Sequence, residues 1–217
     1  MGNQIEREVK LSFASAEAAR EAVSALGASP LRARRLQDDR LFDTPGGRLR
    51  GERCTLRVRL ERPARPDGAA GDSAAGGDSG GAGGTIATIA TLTFKGPPQP
   101  DVMKVREEIE TTAGDGAALL RVFEKAGFEV WFRYQKYREE FAHGGTIVAI
   151  DETPCGVFVE LEGSEAGVTQ LARALGRTPS DYITASYRSV YEADCAARGV
   201  RVTHMVFEPS TDRLSKP

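Results

Sequence analysis

The chain has 217 residues, of which 40% are hydrophobic, and a formal net charge of -2, which is typical of one globular domain with its own core. The charge balance argues against a basic nucleic-acid surface, and no apolar run is long enough to span a bilayer. Two histidines and three widely spaced cysteines provide no basis for a histidine-rich metal centre, a Ser-His-Asp triad or a disulfide framework. We therefore expect a cytoplasmic protein, with no nucleic-acid or membrane partner, whose chemistry depends on carboxylates, Lys and Arg.

The first predicted element is a strand, because residues 5–13, IEREVKLSF, alternate between two faces. One face carries Glu6, Glu8 and Lys10, and the other is mainly apolar. A single strand of this kind usually turns its charged face to water. Whether these charges face solvent or a ligand depends on the charge pattern of the other predicted strands.

Further along the chain, helix and strand patterns alternate. Helices are predicted over residues 15–27, 115–127, 165–176 and 182–198. Strands are predicted around residues 37–43, 53–61, 85–95, 104–112, 130–141, 146–152 and 156–162. The fold class is therefore α+β, with antiparallel strands and helices outside them.

Two segments have no periodic apolar pattern. Residues 64–84 are rich in Gly, Ala, Ser and Asp, which predicts a flexible loop between two strands. Residues 199–217 are expected to form a dispensable tail. The predicted organisation is one domain over residues 1–198, followed by that tail.

The predicted strands carry rows of charges that are sorted by sign. Pairs of Glu two residues apart occur at 6/8, 108/110 and 160/162, and basic pairs occur at 57/59 and 136/138. Two such carboxylates lie about 7 Å apart on one face and can contribute to a divalent-cation site. Paired Arg and Lys side chains can bind a polyanion. If the sheet closes into a barrel, the rows point inward and form a charged tunnel suited to a phosphate chain.

Eight short motifs follow one another between about residues 5 and 190: EREVK, DDRLFDTPGGRLR, LRVR, TFKGP, REEIE, KYR, IDETPCGVFVELEG and ITASY. In this order the chain resembles the CYTH superfamily, the triphosphate tunnel metalloenzymes, which include class IV adenylyl cyclases, thiamine triphosphatases and inorganic triphosphatases. The resemblance implies a closed antiparallel β-barrel tunnel of about eight strands with helices packed outside.

The resemblance also implies the residues of the site. The expected ligands of Mg²⁺ or Mn²⁺ are Glu6, Glu8, Glu108, Glu110, Asp151, Glu160 and Glu162. The expected triphosphate-binding residues are Lys10, Arg57, Arg59, Lys95, Lys136 and Arg138, and the expected catalytic residues are Glu6, Glu8 and Lys10. One position departs from the family pattern, because Leu41 stands where a tyrosine often precedes the Phe-Asp pair. A hydrolytic role of that tyrosine is therefore absent here or is filled by another residue.

Other residues near the motifs have structural interpretations. Arg106 and Glu140 fit an ion-pair role as well as a ligand role, and Asp39 and Asp43 fit a turn or the rim. The aromatic side chains Trp131, Tyr134 and Tyr137 are expected to pack, and Tyr187 is a candidate contact at one end of the substrate.

Three functions stay open at this point. The first is a metal-dependent enzyme that hydrolyses a phosphoanhydride of inorganic or organic triphosphate. The second is a class IV adenylyl cyclase, in which a ribose 3′-hydroxyl attacks the α-phosphorus of ATP and releases pyrophosphate. The third is a polyphosphate- or nucleotide-binding module without turnover. The expected partner is a triphosphate-bearing small molecule such as tripolyphosphate, ATP or thiamine triphosphate, and a homodimer is one assembly to consider.

Overall fold

The structure is a computed structural model that describes residues 4–64 and 89–208. Within these residues, eight antiparallel strands close into a barrel in the order β1-β5-β4-β3-β2-β6-β7-β8. The strands are β1 (Gln4–Phe13), β2 (Ser29–Asp43), β3 (Thr55–Pro63), β4 (Ala90–Lys95), β5 (Lys104–Ala113), β6 (Glu129–His143), β7 (Thr146–Thr153) and β8 (Gly156–Glu162). This architecture confirms the predicted α+β class and the closed antiparallel barrel.

Helices cover the outside of the barrel. They are α1 (Ala16–Ala25), α2 (Arg48–Gly51), α3 (Gly116–Lys125), α4 (Glu165–Ala174) and α5 (Tyr187–Arg198), with a short 3-10 turn at Pro179–Asp181. Each of the four longer helices has an N-cap side chain that accepts a backbone N–H of the first turn. These N-caps are Ser15, Asp115, Ser164 and Ser186. The fourth helix starts later than the predicted residue 182, because Ile183 pairs with Lys10 of β1. Within the described part of the chain, no helix is long and apolar enough to cross a membrane.

The hydrophobic core lies between the barrel and the helices rather than inside the barrel. Val9, Leu11, Val159 and Leu161 of β1 and β8 are buried against α1 and α4. A second layer forms where α3 covers β3 and β4, and there the rings of Phe42 and Phe123 are 5.2 Å apart. Burying these outward faces removes apolar surface from water and holds the barrel closed. As a result, the charged faces of the same strands point inward.

Strand β2 begins earlier than the sequence pattern predicts. Residues 29–36 contain SPLRARRL, which lacks a clean alternation, yet they pair with β6 through several register shifts. Most of the predicted loop 64–84 and the start of the predicted strand at 85–95 lie outside the described residues.

The described part of the predicted tail is packed against the barrel. Strand β7 pairs with β6 only from Tyr137 onward, which leaves the first half of β6 with a free edge. Met205 fills this edge, because its N–H donates to the Arg133 carbonyl at 3.0 Å and its carbonyl accepts from the Gln135 N–H at 2.8 Å. The Met205 side chain is fully buried among aromatic residues. Residues 201–208 therefore belong to the packed domain, in contrast to the dispensable segment expected from sequence.

Candidate functional site

A cavity of about 1410 Å³ occupies the interior of the barrel and reaches both of its ends. It is lined by the inward faces of the strands, which carry the charged rows. All the predicted site residues except Asp151 line this cavity, namely Glu6, Glu8, Lys10, Arg57, Arg59, Lys95, Glu108, Glu110, Lys136, Arg138, Glu160 and Glu162. The structure thus brings together side chains that are up to about 150 positions apart in sequence.

Carboxylates occupy one side of the cavity, which we call the acidic wall. Its strands β8, β1 and β5 are consecutive in the barrel, and its residues are Glu6, Glu8, Glu108, Glu160 and Glu162. The register places Glu8 opposite Glu162, and Lys10 opposite Glu160. Glu110, at the end of this wall, has a side chain that is 50% exposed.

Cations occupy the opposite side, which we call the basic wall. Its residues are Arg57, Arg59, Lys95, Lys136 and Arg138, from β3, β4 and β6. Arg57 donates to the Thr93 hydroxyl at 2.9 Å, and Arg59 donates to Asp39 at 2.9 Å. Asp39 is completely buried behind these arginines, so the rim position expected for it is wrong. Its carboxylate instead holds two guanidinium groups in place.

Ion pairs join the two walls through Lys95 and also form within the strands of the acidic wall through Lys10 of β1. Lys95 Nζ lies 2.5 Å from Glu6 Oε1 and 3.0 Å from Glu108 Oε2. Lys10, which is 1% exposed, lies 2.9 Å from Glu8 and 3.2 Å from Glu160. Charges buried to this extent are costly unless they are paired, so these contacts offset part of the desolvation penalty.

The pairing is uneven along the acidic wall. Burial and the neighbouring Glu8 carboxylate raise the pKa of Glu6 to about 7, despite its contact with Lys95. Burial also raises the pKa of Glu162. Burial acts in the same direction on Glu8 and Glu160, but their lysine and arginine neighbours outweigh it and hold both pKa values well below the usual range. Glu6 and Glu162 are therefore less strongly stabilised as anions than Glu8 and Glu160.

The donor set of the acidic wall fits a hard divalent cation. All its side-chain donors are carboxylate oxygens, which Mg²⁺ and Mn²⁺ prefer. Glu6 and Glu108 both contact Lys95 Nζ, and such a close carboxyl pair is a place where a cation can replace a proton. Within the described residues, however, no three Asp, Glu, His or Cys side chains already surround one point at ligand distance. Binding a cation would require carboxylates to leave their Lys and Arg partners.

Asp151 is separated from the other predicted ligands. It is fully buried and does not line the cavity. It accepts hydrogen bonds from Lys136 Nζ at 2.7 Å, from Arg138 Nε at 2.7 Å and from the Tyr187 hydroxyl at 2.6 Å. In this position Asp151 orients the side chains of Lys136 and Arg138 and does not point into the cavity.

Some cavity residues were missed or undervalued from sequence. Arg106 lines the cavity and is 9% exposed, and its Nε has no hydrogen-bond partner among the described residues. Lys104 lines the cavity and hydrogen-bonds to Glu8, and burial is the main cause that lowers its pKa to about 8. Both residues lie on the same inward face of β5 as Glu108, so the alternation in KVREE could have identified them as cavity residues. An orphaned buried guanidinium nitrogen in a cavity is what an anion would satisfy.

Aromatic side chains complete the cavity. The Tyr187 ring, at the start of α5, lies 5.2 Å from Lys10 Nζ and 4.8 Å from Lys136 Nζ. Tyr134 also lines the cavity, on β6 opposite Asp39 of β2. Trp131 lines one mouth of the cavity, although packing alone was expected for it. Asp43 matches its predicted turn role, because it accepts the N–H groups of Thr44, Leu49 and Arg50.

Solved structures show the same fold. The chain aligns with a protein of Vibrio parahaemolyticus described as a "putative adenylate cyclase", with a TM-score of 0.66, 19% identity and coverage of 88% of this chain and 99% of the other. It aligns with the PH1819 protein of Pyrococcus horikoshii with a TM-score of 0.64, 20% identity and coverage of 87% and 98%. A Hippeastrum protein, described as a "putative adenylyl cyclase" with a dominant triphosphatase activity, aligns with a TM-score of 0.59, 19% identity and coverage of 91% and 97%.

Sequence comparison gives the family. A curated "putative adenylate cyclase" of Methanocaldococcus jannaschii is 32% identical over 85 residues, which is 39% of this chain, so the match spans about half (49%) of that relative's length. The family model described as the CYTH domain matches residues 4–187. This match covers the whole barrel and both charged walls. The chain therefore belongs to the CYTH domain family.

Proposed function

We propose that this protein is a divalent-metal-dependent triphosphatase that hydrolyses a phosphoanhydride of an inorganic or organic triphosphate. The observation that carries the proposal is the pair of opposed walls, with clustered carboxylates on one side and clustered Lys and Arg on the other. A mere anion-binding protein needs the basic wall but has little use for five buried or half-buried carboxylates. The described triphosphatase activity of the Hippeastrum neighbour supports the same reaction.

The basic wall would bind and orient the phosphate chain. Arg57 and Arg138 can donate forked hydrogen bonds to phosphate oxygens, while Lys95 and Lys136 supply point charges. Arg106 of β5, which lies outside this wall, can donate in the same way. Burial, followed by the neighbouring Arg138, lowers the pKa of Lys136 to about 8, so this side chain is cationic below that pH. The cations would neutralise the substrate and so stabilise the charge that the departing phosphate oxygen gains.

The acidic wall would bind Mg²⁺ or Mn²⁺ through Glu6, Glu8, Glu108, Glu160 and Glu162. When bound, the metal supplies charge neutralisation and a lowered pKa of coordinated water. A carboxylate of this wall accepts the proton as the water oxygen forms its bond to the terminal phosphorus. The anhydride bond to phosphorus breaks, and its electron pair leaves with the departing phosphate.

A second candidate is a class IV adenylyl cyclase. The relatives described as adenylate cyclases favour it, and so does the KYR and DETP-x-G-x-F-x-ELEG pattern of the sequence. The same walls would hold ATP, but the nucleophile would be the ribose 3′-hydroxyl and the leaving group would be pyrophosphate. We place hydrolysis ahead of cyclisation because cyclisation also requires the ribose 3′-hydroxyl to be held in line with the α-phosphorus.

A product assay separates the candidates. The purified protein is incubated with Mg²⁺ or Mn²⁺ and, in separate reactions, with inorganic triphosphate, thiamine triphosphate and ATP. Orthophosphate release is the expected result, whereas cyclic AMP with an equal amount of pyrophosphate from ATP would favour the cyclase. Glu124→Gln on the exposed side of α3 is the control variant, and Glu6→Ala is the inactive one. Binding of all three compounds without any product would reject both enzymatic functions.

A further inference from the structure

The two mouths of the cavity differ in chemistry. At the mouth near the start of β6 the cavity is lined by Arg50, Arg53, Trp131 and Arg188, which we call the aromatic mouth. At the other mouth the lining includes Glu110, Glu140, Glu162 and Arg32, and Arg35 lies 2.8 Å from Glu140. Cations and an aromatic ring therefore predominate at the aromatic mouth, whereas carboxylates predominate among the lining residues of the other one.

The aromatic mouth is a stacked arrangement rather than a simple basic rim. The guanidinium carbons of Arg50 and Arg188 lie 4.8 and 4.6 Å from the Trp131 ring centroid. Asp43 holds Arg50 at 3.0 Å, and Glu192 holds Arg188 at 2.7 Å. These two ion pairs fix the guanidinium planes and reduce the net charge of the mouth, so the surface favours flat π-systems over additional phosphates.

Polar groups lie beside this platform. Ser186 and Ser189 line the same part of the cavity, and their hydroxyl oxygens are 3.0 Å apart. Each hydroxyl can donate or accept, so the pair can contact the edge of a ring that stacks on Trp131 or on an arginine plane. Aromatic rings and arginine planes are the surfaces on which proteins stack nucleobases.

We propose that the aromatic mouth is the head-group site of the enzyme and that Trp131 determines specificity for a nucleoside triphosphate, whose base stacks there while its phosphates lie between the walls. This inference rests on the proposed function for the reaction, but the binding site it assigns can be tested without turnover. Inorganic triphosphate would occupy only the walls. A nucleotide would gain the additional stacking contact.

The test uses the intrinsic fluorescence of Trp131, which is the only tryptophan of the chain. The full-length protein is titrated with the non-hydrolysable analogue of ATP in which an imido group joins the β and γ phosphorus atoms, and separately with inorganic triphosphate. We expect saturable quenching with the ATP analogue and a clearly smaller change with inorganic triphosphate. Equal changes with both compounds, or no change at saturating nucleotide as judged by calorimetry, would overturn the assignment.

Substitutions give a second readout. Trp131→Leu is expected to lower the ratio of kcat/KM for ATP to kcat/KM for inorganic triphosphate about tenfold, and Trp131→Phe is expected to restore most of it. Arg188→Ala should lower the same ratio by a smaller factor. An unchanged ratio in folded Trp131→Leu protein would refute the role of Trp131. If the protein hydrolyses neither compound, the proposed function fails, while the fluorescence titration still decides whether the head-group site exists.

Discussion

The acidic and basic walls face each other across one cavity, yet the groups that surround and compensate their charges differ. On the acidic wall, burial and the neighbouring Glu8 carboxylate raise the pKa of Glu6 to about 7, so Glu6 is partly protonated at neutral pH. On the basic wall, Asp39 and Asp151 lie behind the cations and orient them, and neither carboxylate lines the cavity. The basic wall is therefore already held in place by buried carboxylates, whereas under the proposed function a cation would have to replace the proton and the lysine partners of the acidic wall.

The largest expected effect comes from Glu160, which connects the two walls. Its carboxylate contacts Lys10, Lys136 and Arg138, so Glu160→Gln would remove one charge from the acidic wall and leave three cations less well paired. We expect kcat to fall by about a thousandfold, as for the loss of a preorganised charge at a transition state. Steady-state hydrolysis with Mn²⁺ measures this, and circular dichroism checks that the fold is kept. Full activity in the folded variant would remove Glu160 from the site.

A smaller effect is expected on the basic wall from Arg57→Ala. Arg57 lies within 4.0 Å of Glu108 and lines the cavity, so its loss should remove one charge-assisted contact to the phosphate chain. We expect KM to rise between about tenfold and a hundredfold, with less change in kcat. Arg121→Ala on the exposed face of α3 is the matched control. A KM equal to that of the control would mean that the basic wall does not contact substrate through Arg57.

The pH dependence of metal binding tests the uneven charge of the acidic wall. Because Glu6 has a pKa of about 7, a proton competes with the cation below that pH and no longer competes above it. The apparent Mn²⁺ dissociation constant should therefore rise about fivefold between pH 7 and pH 6 and stay nearly constant from pH 7.5 to 8. Calorimetric titration at each pH measures it. In Glu6→Gln the rise should disappear, and a wild-type constant that is flat across this range would contradict the prediction.

The smallest effect on activity is expected from Met205→Ala, which acts behind the basic wall. Met205 packs behind β6 with Tyr134 and Tyr187, so the variant should lose about 2–5 kcal/mol of unfolding free energy. We expect kcat/KM to stay within about threefold of the wild-type value, because Met205 lies in the core outside the cavity lining. Urea unfolding gives the free energy, and Val200→Ala at a 47% exposed position is the control. Equal stability of both variants would show that residues 201–208 contribute little to the barrel.

Most of the fold and much of the site were predictable from sequence because their signals are local. Period-two alternation shows which side chains share a face, and this holds for Glu6 and Glu8 as well as for Lys136 and Arg138. Capping residues such as Ser15 and Asp115 mark helix starts through hydrogen bonds to neighbouring backbone groups. The motif order then indicated the family, which the match over residues 4–187 confirms.

The sequence did not predict which inward-facing side chains line the cavity and which are enclosed behind its wall. Asp151 and Arg106 both have inward-facing positions, yet only the three-dimensional packing shows that Asp151 is enclosed by Lys136, Arg138 and Tyr187. Likewise, nothing in the sequence near residue 205 indicates that Met205 completes the free edge of β6.

The sequence by itself therefore determined which residues carry charge, which face of each strand they share and where α1, α3 and α4 begin, since these properties depend on neighbours a few positions away. Only the tertiary structure decided that β8, β1 and β5 are consecutive, that the tail residues 201–208 complete the barrel, and that Trp131 lies at the mouth near Arg50 and Arg188. These features depend on long-range strand pairing and on how the helices close over the barrel, and such contacts join residues whose separation along the chain carries no local signal.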